Sequence, residues 1–441
     1  MGLLFGTDGI RARVGDGPGE LNAALARSVG FAAGQVLATQ GGRALVGMDT
    51  RASGPELEAA LIDGLTAAGV DVIAVGVVPT PAIAFLTLDL GADFGVMISA
   101  SHNPAPDNGI KIIGANGRKV PDPVEDAIEA LIADPVRAEL REPGQRINGL
   151  VHIETYEASL LASVEPKALS GLKVVADCAH GAASDIAPRV LRAAGAEVIV
   201  IGASPDGRNI NDGYGATHLE ALQKAVVEHG AHAGVAFDGD ADRCLAVDGS
   251  GAALDGDQIM LILALARRDA GMLPDKTVVA TVMSNLGFAR ALEREGLRLV
   301  RAAVGDRHVL EAMLAGGHTL GGEQSGHFIL ADLATTGDGL LAALQLLAEV
   351  ARSGRSLADL GAQMTRMPQI LMNCRVSDRS VANSTTLAHA VAEAEADLGE
   401  SGRVLVRASG TEPLIRVMVE ADSQARAEAV ARELAGVVQA L

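Results

Sequence analysis

Phe94-Gly-Val-Met-Ile-Ser-Ala-Ser-His-Asn-Pro-Ala-Pro-Asp-Asn-Gly-Ile-Lys-Ile-Ile-Gly114 is the stretch around which the 441-residue chain is organised. Val96 to Ile98 is an apolar run that reads as a buried strand. It breaks into small and polar residues at Ser99, Ala100, Ser101, His102 and Asn103, and Pro104 blocks an immediate helix. Ser101 therefore falls on a turn just past the carboxyl end of a strand, where open α/β sheets bind their ligands. Its hydroxyl stands on a rigid base beside Ser99, His102 and Asn103, and Lys111 follows on the next apolar run. Taken alone, this composition also suits an ordinary loop. The rest of the chain decides between the two readings.

Outward from this stretch, one pattern recurs. Ala44–Met48 reads as a strand, followed by Asp49-Thr-Arg-Ala-Ser-Gly54, a helix to Ala68, Gly69 and a second strand to Gly76. Leu172–Ala176, Asp177-Cys-Ala-His-Gly181, a helix to Ala194 and a strand to Gly202 repeat it. Lys276–Val282, Met283-Ser-Asn-Leu-Gly287, a helix to Glu295 and a strand to Gly305 repeat it again. Three such blocks imply three related α/β domains with mixed, largely parallel sheets. In each, the next strand runs into a distinctive loop, reaching Ser101, Asp238 and Glu323 in turn, as expected if the domains face a central cleft. The last segment differs. Strands at Met367–Ser377, Gly402–Val406 and Leu414–Val419 and an amphipathic helix from Ser423 predict a smaller C-terminal α+β domain. The expected domains are 1–150, 151–255, 256–366 and 367–441, with the polar stretch Asp134–Asn148 as a bridge and a hinge near Arg366–Pro368.

Three further loops carry chemistry. Asp238-Gly-Asp-Ala-Asp-Arg243 sets three carboxylates at alternate positions between two apolar runs. Side chains two apart share a face of an extended segment, and crowded carboxylates repel unless a hard cation neutralises them. It is not an EF-hand, because Arg243 and Gly249 stand where that loop needs Gly and Glu. Gly321-Gly-Glu-Gln-Ser-Gly-His327 offers Glu323 and Ser325 to vicinal hydroxyls, though a hydroxyl-rich turn reads the same way. Arg407-Ala-Ser-Gly-Thr-Glu-Pro413 with Arg416 offers guanidinium groups and hydroxyls suited to a phosphate dianion. Arg11, in the glycine-rich opening Phe5-Gly-Thr-Asp-Gly-Ile-Arg11, is a further candidate phosphate ligand. His180, His218, His232 and His308 fit no metal-ligand spacing and read as ordinary structure.

Composition sets bounds. A net charge of -19 argues against a nucleic-acid or anionic-membrane partner. No window reads as a spanning helix, and the N-terminus shows no secretory leader. Three widely spaced cysteines, Cys178, Cys244 and Cys374, form neither a disulfide framework nor a zinc pattern and fit a reducing cytoplasm. Oligomeric state is not legible in these residues, and a homodimer stays open.

Together the loops resemble the signature sequences of the α-D-phosphohexomutases, in family order from Phe5 to about Glu420. Two residues depart from the pattern: Ala12 stands where Gly is usual and His180 where Asn is usual. The resemblance implies that Ser101 carries the transferred phosphate and that Asp238, Asp240 and Asp242, with the phosphate on Ser101, hold one Mg²⁺ per chain. It implies that Arg243 steadies the serine loop and that Lys111, Arg243 and Arg11 stabilise the transferring group. Glu323, Ser325 and His327 would meet the sugar. Arg407, Ser409, Gly410, Thr411 and Arg416 would grip the phosphate not being transferred. Gln324 and the neighbouring loops are most similar to the branch acting on glucosamine phosphates. The activity implied is an isomerase that interconverts glucosamine 6-phosphate and glucosamine 1-phosphate through a 1,6-bisphosphate. A phosphomannomutase/phosphoglucomutase of the same family is the runner-up. A metal-dependent phosphatase with a serine nucleophile and a non-catalytic sugar-phosphate sensor are the readings outside it. The general base stays open among Lys111, His102 and His327.

Overall fold

In a computed structural model, residues 4–6, 8–135, 138–408 and 413–441 are described. The first sheet contains β1 (Ile10–Arg13), β2 (Arg43–Met48), β3 (Asp71–Val77), β4 (Phe94–Ile98), β5 (Asp107–Gly114) and β6 (Arg146–Asn148). The second contains β7 (Lys173–Asp177), β8 (Glu197–Ile201), β9 (Ala233–Phe237), β10 (Cys244–Asp248) and β11 (Ala253–Leu254). The third contains β12 (Thr277–Thr281), β13 (Arg298–Ala302), β14 (Leu320–Gly322) and β15 (Phe328–Leu330).

The three sheets share one internal order: β5-β4-β2-β3, β10-β9-β7-β8 and β15-β14-β12-β13. In each, the central pair is parallel (β2 with β4, β7 with β9, β12 with β14). The strand after it is antiparallel (β4 with β5, β9 with β10, β14 with β15). The loops reaching Ser101, Asp238 and Glu323 are thus one and the same connection in three copies, at the carboxyl end of an inner strand. Those inner strands are wholly buried, Phe94–Ile98 and Ala233–Phe237 alike, which is why they read as unbroken apolar runs.

One sequence expectation changes in detail. Asp134–Asn148 is not only a bridge, since β6 adds to the first sheet parallel to β3. All three β6 residues are exposed on the sheet edge, so no apolar pattern marks it. Arg141 also lies against this sheet's helices, its Nη1 donating to the carbonyls of Ala38 (2.8 Å) and Gly34 (3.3 Å) at the end of helix Ala23–Leu37.

The chain divides into two compact units, 1–282 with 300–362, and 283–299 with 363–441. In the second, β16 (Gln369–Arg375), β17 (Arg403–Ala408) and β18 (Leu414–Glu420) form an antiparallel sheet ordered β16-β18-β17, packed on helix Gln424–Ala440. The fully buried carboxylate of Glu420 gathers this unit. It accepts from Arg403 Nε (2.6 Å), Gln369 Nε2 (3.1 Å), Asn285 Nδ2 (3.2 Å) and the N–H of Leu286 (2.9 Å). That is how helix Leu286–Arg294, distant in sequence, comes to belong here.

Helices Ala23–Leu37 and Gly54–Ala67 cross backbone to backbone. A Cβ at Gly64 would lie 2.1 Å from the carbonyl oxygen of Arg27. Alanine in a helix interior ordinarily gains roughly 0.5–1 kcal/mol over glycine. Here forced separation of the helices outweighs it, so Gly64→Ala is expected to cost about 1–3 kcal/mol, read as a lower midpoint in urea. A raised midpoint would show that the helices do not meet this way.

Candidate active site

The serine loop is held from behind. Ser101 is buried and has φ 52, the left-handed region. Its N–H donates to Ser99 Oγ (2.9 Å), and the Ser99 hydroxyl donates to Asp49 (2.6 Å). The Ser101 hydroxyl points forward and donates to Asp238 Oδ2 at 2.7 Å, with His102 Nδ1 3.2 Å away.

The acidic loop meets it there. Ligand atoms of Asp238, Asp240 and Asp242 all lie within 4.8 Å of one another, and all three residues are buried. Asp240 Oδ2 accepts from Lys111 Nζ (2.7 Å) and from the Thr80 hydroxyl (2.5 Å). Thr80 opens helix Thr80–Asp89, and its own N–H donates to the Asp240 carbonyl (2.9 Å). Asp240 Oδ1 and Asp242 Oδ1 are buried without a hydrogen-bond partner among the described residues. Two orphan carboxylate oxygens in a cluster of three hard donors are what a divalent cation would satisfy, so the residues present fit one.

Electrostatics supports the same reading. Burial, then Asp242 and Asp240, push the Asp238 carboxyl well above its ordinary range. Burial works against Asp242 too, yet Lys111, His327 and Arg243 hold it well below that range. Burial likewise opposes the Lys111 charge, and Asp240, Asp8 and Asp242 overcome it, keeping the ammonium on. Burial, with Arg243 and Arg11, pushes His102 down to about 4 and leaves it neutral at pH 7. His327 goes the other way: Asp242 overcomes burial and raises it to about 9. Of the three candidate bases, His102 is the neutral one.

Arg11 is ion-paired to Asp8, which lies 3.6 Å from Lys111 Nζ. Arg243 donates its backbone N–H to Asp238 Oδ1 (3.2 Å) and pairs across a β-bridge with His327, so the third loop is stitched to the second. His327 Nδ1 comes within 3.9 Å of Asp242. Glu323 Oε1 accepts from the N–H of Gly305 (3.1 Å), and Ser325 is exposed. Gln324 turns aside, donating to Asp257 (3.1 Å) at the start of helix Gly256–Asp269. In the other unit Arg407 and Arg416 are directly opposed on β17 and β18. Burial and the facing Arg416 lower Arg407. Ser409, Gly410 and Thr411 lie outside the described residues.

Several partners have no mark in the sequence. Arg51, Thr80 and Asn211 touch the serine or aspartate loop from afar in sequence. Gly239 reads as a spacer between two aspartates, yet a Cβ there would lie 2.5 Å from the Ser101 carbonyl oxygen.

Four family profiles match: Phosphoglucomutase/phosphomannomutase alpha/beta/alpha domain I over residues 2–137, domain II over 152–251, domain III over 255–367 and the C-terminal domain over 371–437. The chain belongs to this family of phosphohexomutases, and it is accordingly a mutase, an isomerase by class. It is similar to relatives named Phosphoglucosamine mutase. That of Streptomyces griseus is 56% identical over 452 residues, covering 100% of this chain and 99% of the relative. That of Rhodococcus jostii is 56% identical over 445 residues, covering 99% of each. Among solved structures, a Phosphoglucomutase/phosphomannomutase family protein from Burkholderia thailandensis superposes with TM-score 0.83 at 27% identity, covering 99% of this chain and 97% of that one. Aspergillus fumigatus N-acetylphosphoglucosamine mutase, solved with GlcNAc-6P and magnesium, shares the fold with TM-score 0.67 at 19% identity, covering 99% and 96%.

Thr80 orients one of the orphan-bearing carboxylates, and such outer contacts tune metal affinity. Thr80→Val is therefore expected to weaken Mn²⁺ binding, followed by electron paramagnetic resonance, by about tenfold or more. Unchanged affinity would place the cation elsewhere.

Proposed function

We propose that this chain interconverts glucosamine 6-phosphate and glucosamine 1-phosphate, shuttling a phosphate through Ser101 and a 1,6-bisphosphate. The observation carrying the proposal is the Ser101 hydroxyl, seated 2.7 Å from Asp238 beside two carboxylates with orphan oxygens. The substrate rests on the full-length likeness to relatives named Phosphoglucosamine mutase.

The phosphorus–Oγ bond of phospho-Ser101 breaks as a bond to the sugar's free hydroxyl oxygen forms, and that hydroxyl's proton passes to a base; of the candidates Lys111, His102 and His327, His102 is the one neutral at pH 7. The bisphosphate turns end for end, and its other phosphate returns to Ser101. Bound Mg²⁺, one per chain, held by Asp238, Asp240, Asp242 and the phosphate on Ser101, would supply charge withdrawal from the transferring group. Lys111, Arg243 and Arg11 neutralise its oxygens. Glu323, Ser325 and His327 hold the sugar in both orientations, and Arg407, Ser409, Gly410, Thr411 and Arg416 hold the distal phosphate. The product would feed UDP-N-acetylglucosamine and cell-wall precursor synthesis in the cytoplasm. Three free, buried cysteines and the lack, among described residues, of a helix able to cross a membrane support that location.

Coupled assay of glucosamine 1-phosphate formation should show activity in the wild type and none above background in Ser101→Ala. Intact-mass spectrometry of fresh protein should find partial phosphorylation, mapping to Ser101; any other site sinks the shuttle as written. Chelation should abolish turnover and Mg²⁺ restore it. Equal or better use of glucose or mannose 6-phosphate would move the assignment to the runner-up, and free phosphate release would favour a phosphatase.

A further inference from the structure

We propose that Arg51 and Asn211 are positioning residues: together they fix the Ser101 loop in its left-handed shape, and Asn211 makes that shape depend on docking of the metal-loop domain (residues 152–251). The proposal rests on Ser101 being the phosphate carrier.

A guanidinium has five N–H groups in a rigid fork. In Arg51, whose side chain is wholly buried, all five have a partner. Nε donates to Asp49 (2.9 Å). Nη1 donates to the carbonyls of Pro104 (2.6 Å) and Asp107 (2.9 Å). Nη2 donates to those of Ser101 (2.9 Å) and Asn103 (2.8 Å). Four of the five acceptors are thus main-chain oxygens of one short loop, and Arg51 forms a template around which residues 101–107 are wrapped.

Asn211 reaches the same place from the neighbouring domain. Its Nδ2 donates to the carbonyls of Ser101 (3.0 Å) and Asn103 (3.1 Å), so both oxygens accept from two domains at once. Asn211 is itself left-handed (φ 60), and its N–H is fixed on the carbonyl of Ala179 (2.8 Å). A Cβ at Gly239 would come 2.5 Å from the Ser101 oxygen and 2.9 Å from Asn211 Nδ2, so the metal-loop backbone closes over this junction. The left-handed region is disfavoured for a residue bearing a Cβ, and such a conformation persists where its surroundings over-determine it. Donors on the Ser101 and Asn103 carbonyls do that without touching the hydroxyl. They aim Oγ at Asp238 and leave it free to react. Lysine at 51 keeps the charge but offers three donors and no fork.

The test uses the full chain, dephosphorylated, then exposed to glucose 1,6-bisphosphate with Mg²⁺. Ser101 phosphate is followed by intact mass, and steady-state kcat and KM are measured alongside. Arg51→Lys and Asn211→Ala are expected to lose on the order of a hundredfold in labelling rate and in kcat, with KM near the wild-type value, because misaiming a nucleophile by about 1 Å costs that much. Circular dichroism and thermal melts report the folded fraction at the assay temperature. Wild-type labelling and kcat in Asn211→Ala, a loss confined to KM, or a loss equal to the unfolded fraction would each overturn the proposal while leaving the carrier reading intact. Absence of Ser101 labelling in the wild type would instead overturn the carrier reading, and this proposal with it.

Discussion

Three carboxylates removed from water within 4.8 Å of one another create the constraint on which this site depends. Like charges so close cannot all ionise in a low-dielectric pocket without positive charge brought to them. The protein meets part of the demand with Lys111, pinned on Asp240 at 2.7 Å, and with Arg243 and His327 around Asp242. It meets another part with Thr80, the first residue of helix Thr80–Asp89, whose hydroxyl donates to the Asp240 carboxylate while its backbone N–H holds the Asp240 main-chain carbonyl. Asp240 Oδ1 and Asp242 Oδ1 still lack hydrogen-bond partners among the described residues. A divalent cation would satisfy both at once.

The architecture delivers these charges by repetition. One connection, from an inner parallel strand to its antiparallel neighbour, occurs three times and ends in a serine, an aspartate triad and a glutamate. Each loop is short and rooted in a buried strand, so its position is set by the sheet beneath it. Contacts between copies then lock the loops together: Thr80 on Asp240, Asn211 on Ser101, and the bridge between Arg243 and His327. Buried polar groups linked this way leave little room for slack, since any partner withdrawn strands another without water.

The loops themselves are plain in the sequence because reactive residues at strand ends are flanked by unbroken apolar runs, Val96–Ile98 before Ser101 and Val235–Phe237 before Asp238. What supports them is not. Thr80 and Arg51 sit in stretches that read as ordinary helix starts and turns, and β6 is an exposed polar edge strand with no pattern to announce it. The affiliation of helix Leu286–Arg294 with the C-terminal unit rests on contacts far apart in sequence: the buried Glu420, 134 residues from Leu286, the mutual bonds of Asn285 and Met367, and Arg290 on the Glu400 carbonyl.

Sequence alone determined the local facts: which strands are buried, how many times the unit repeats, and which chemical groups each loop end presents. These follow from short-range rules, hydrophobic period and turn chemistry, which need no partner to be read. Only the tertiary structure decided which groups share a charge environment. Why Lys111 keeps its proton in a buried site while His102 loses one, and why Ser101 faces Asp238, are properties of distances between segments more than a hundred residues apart, and no local pattern encodes such distances.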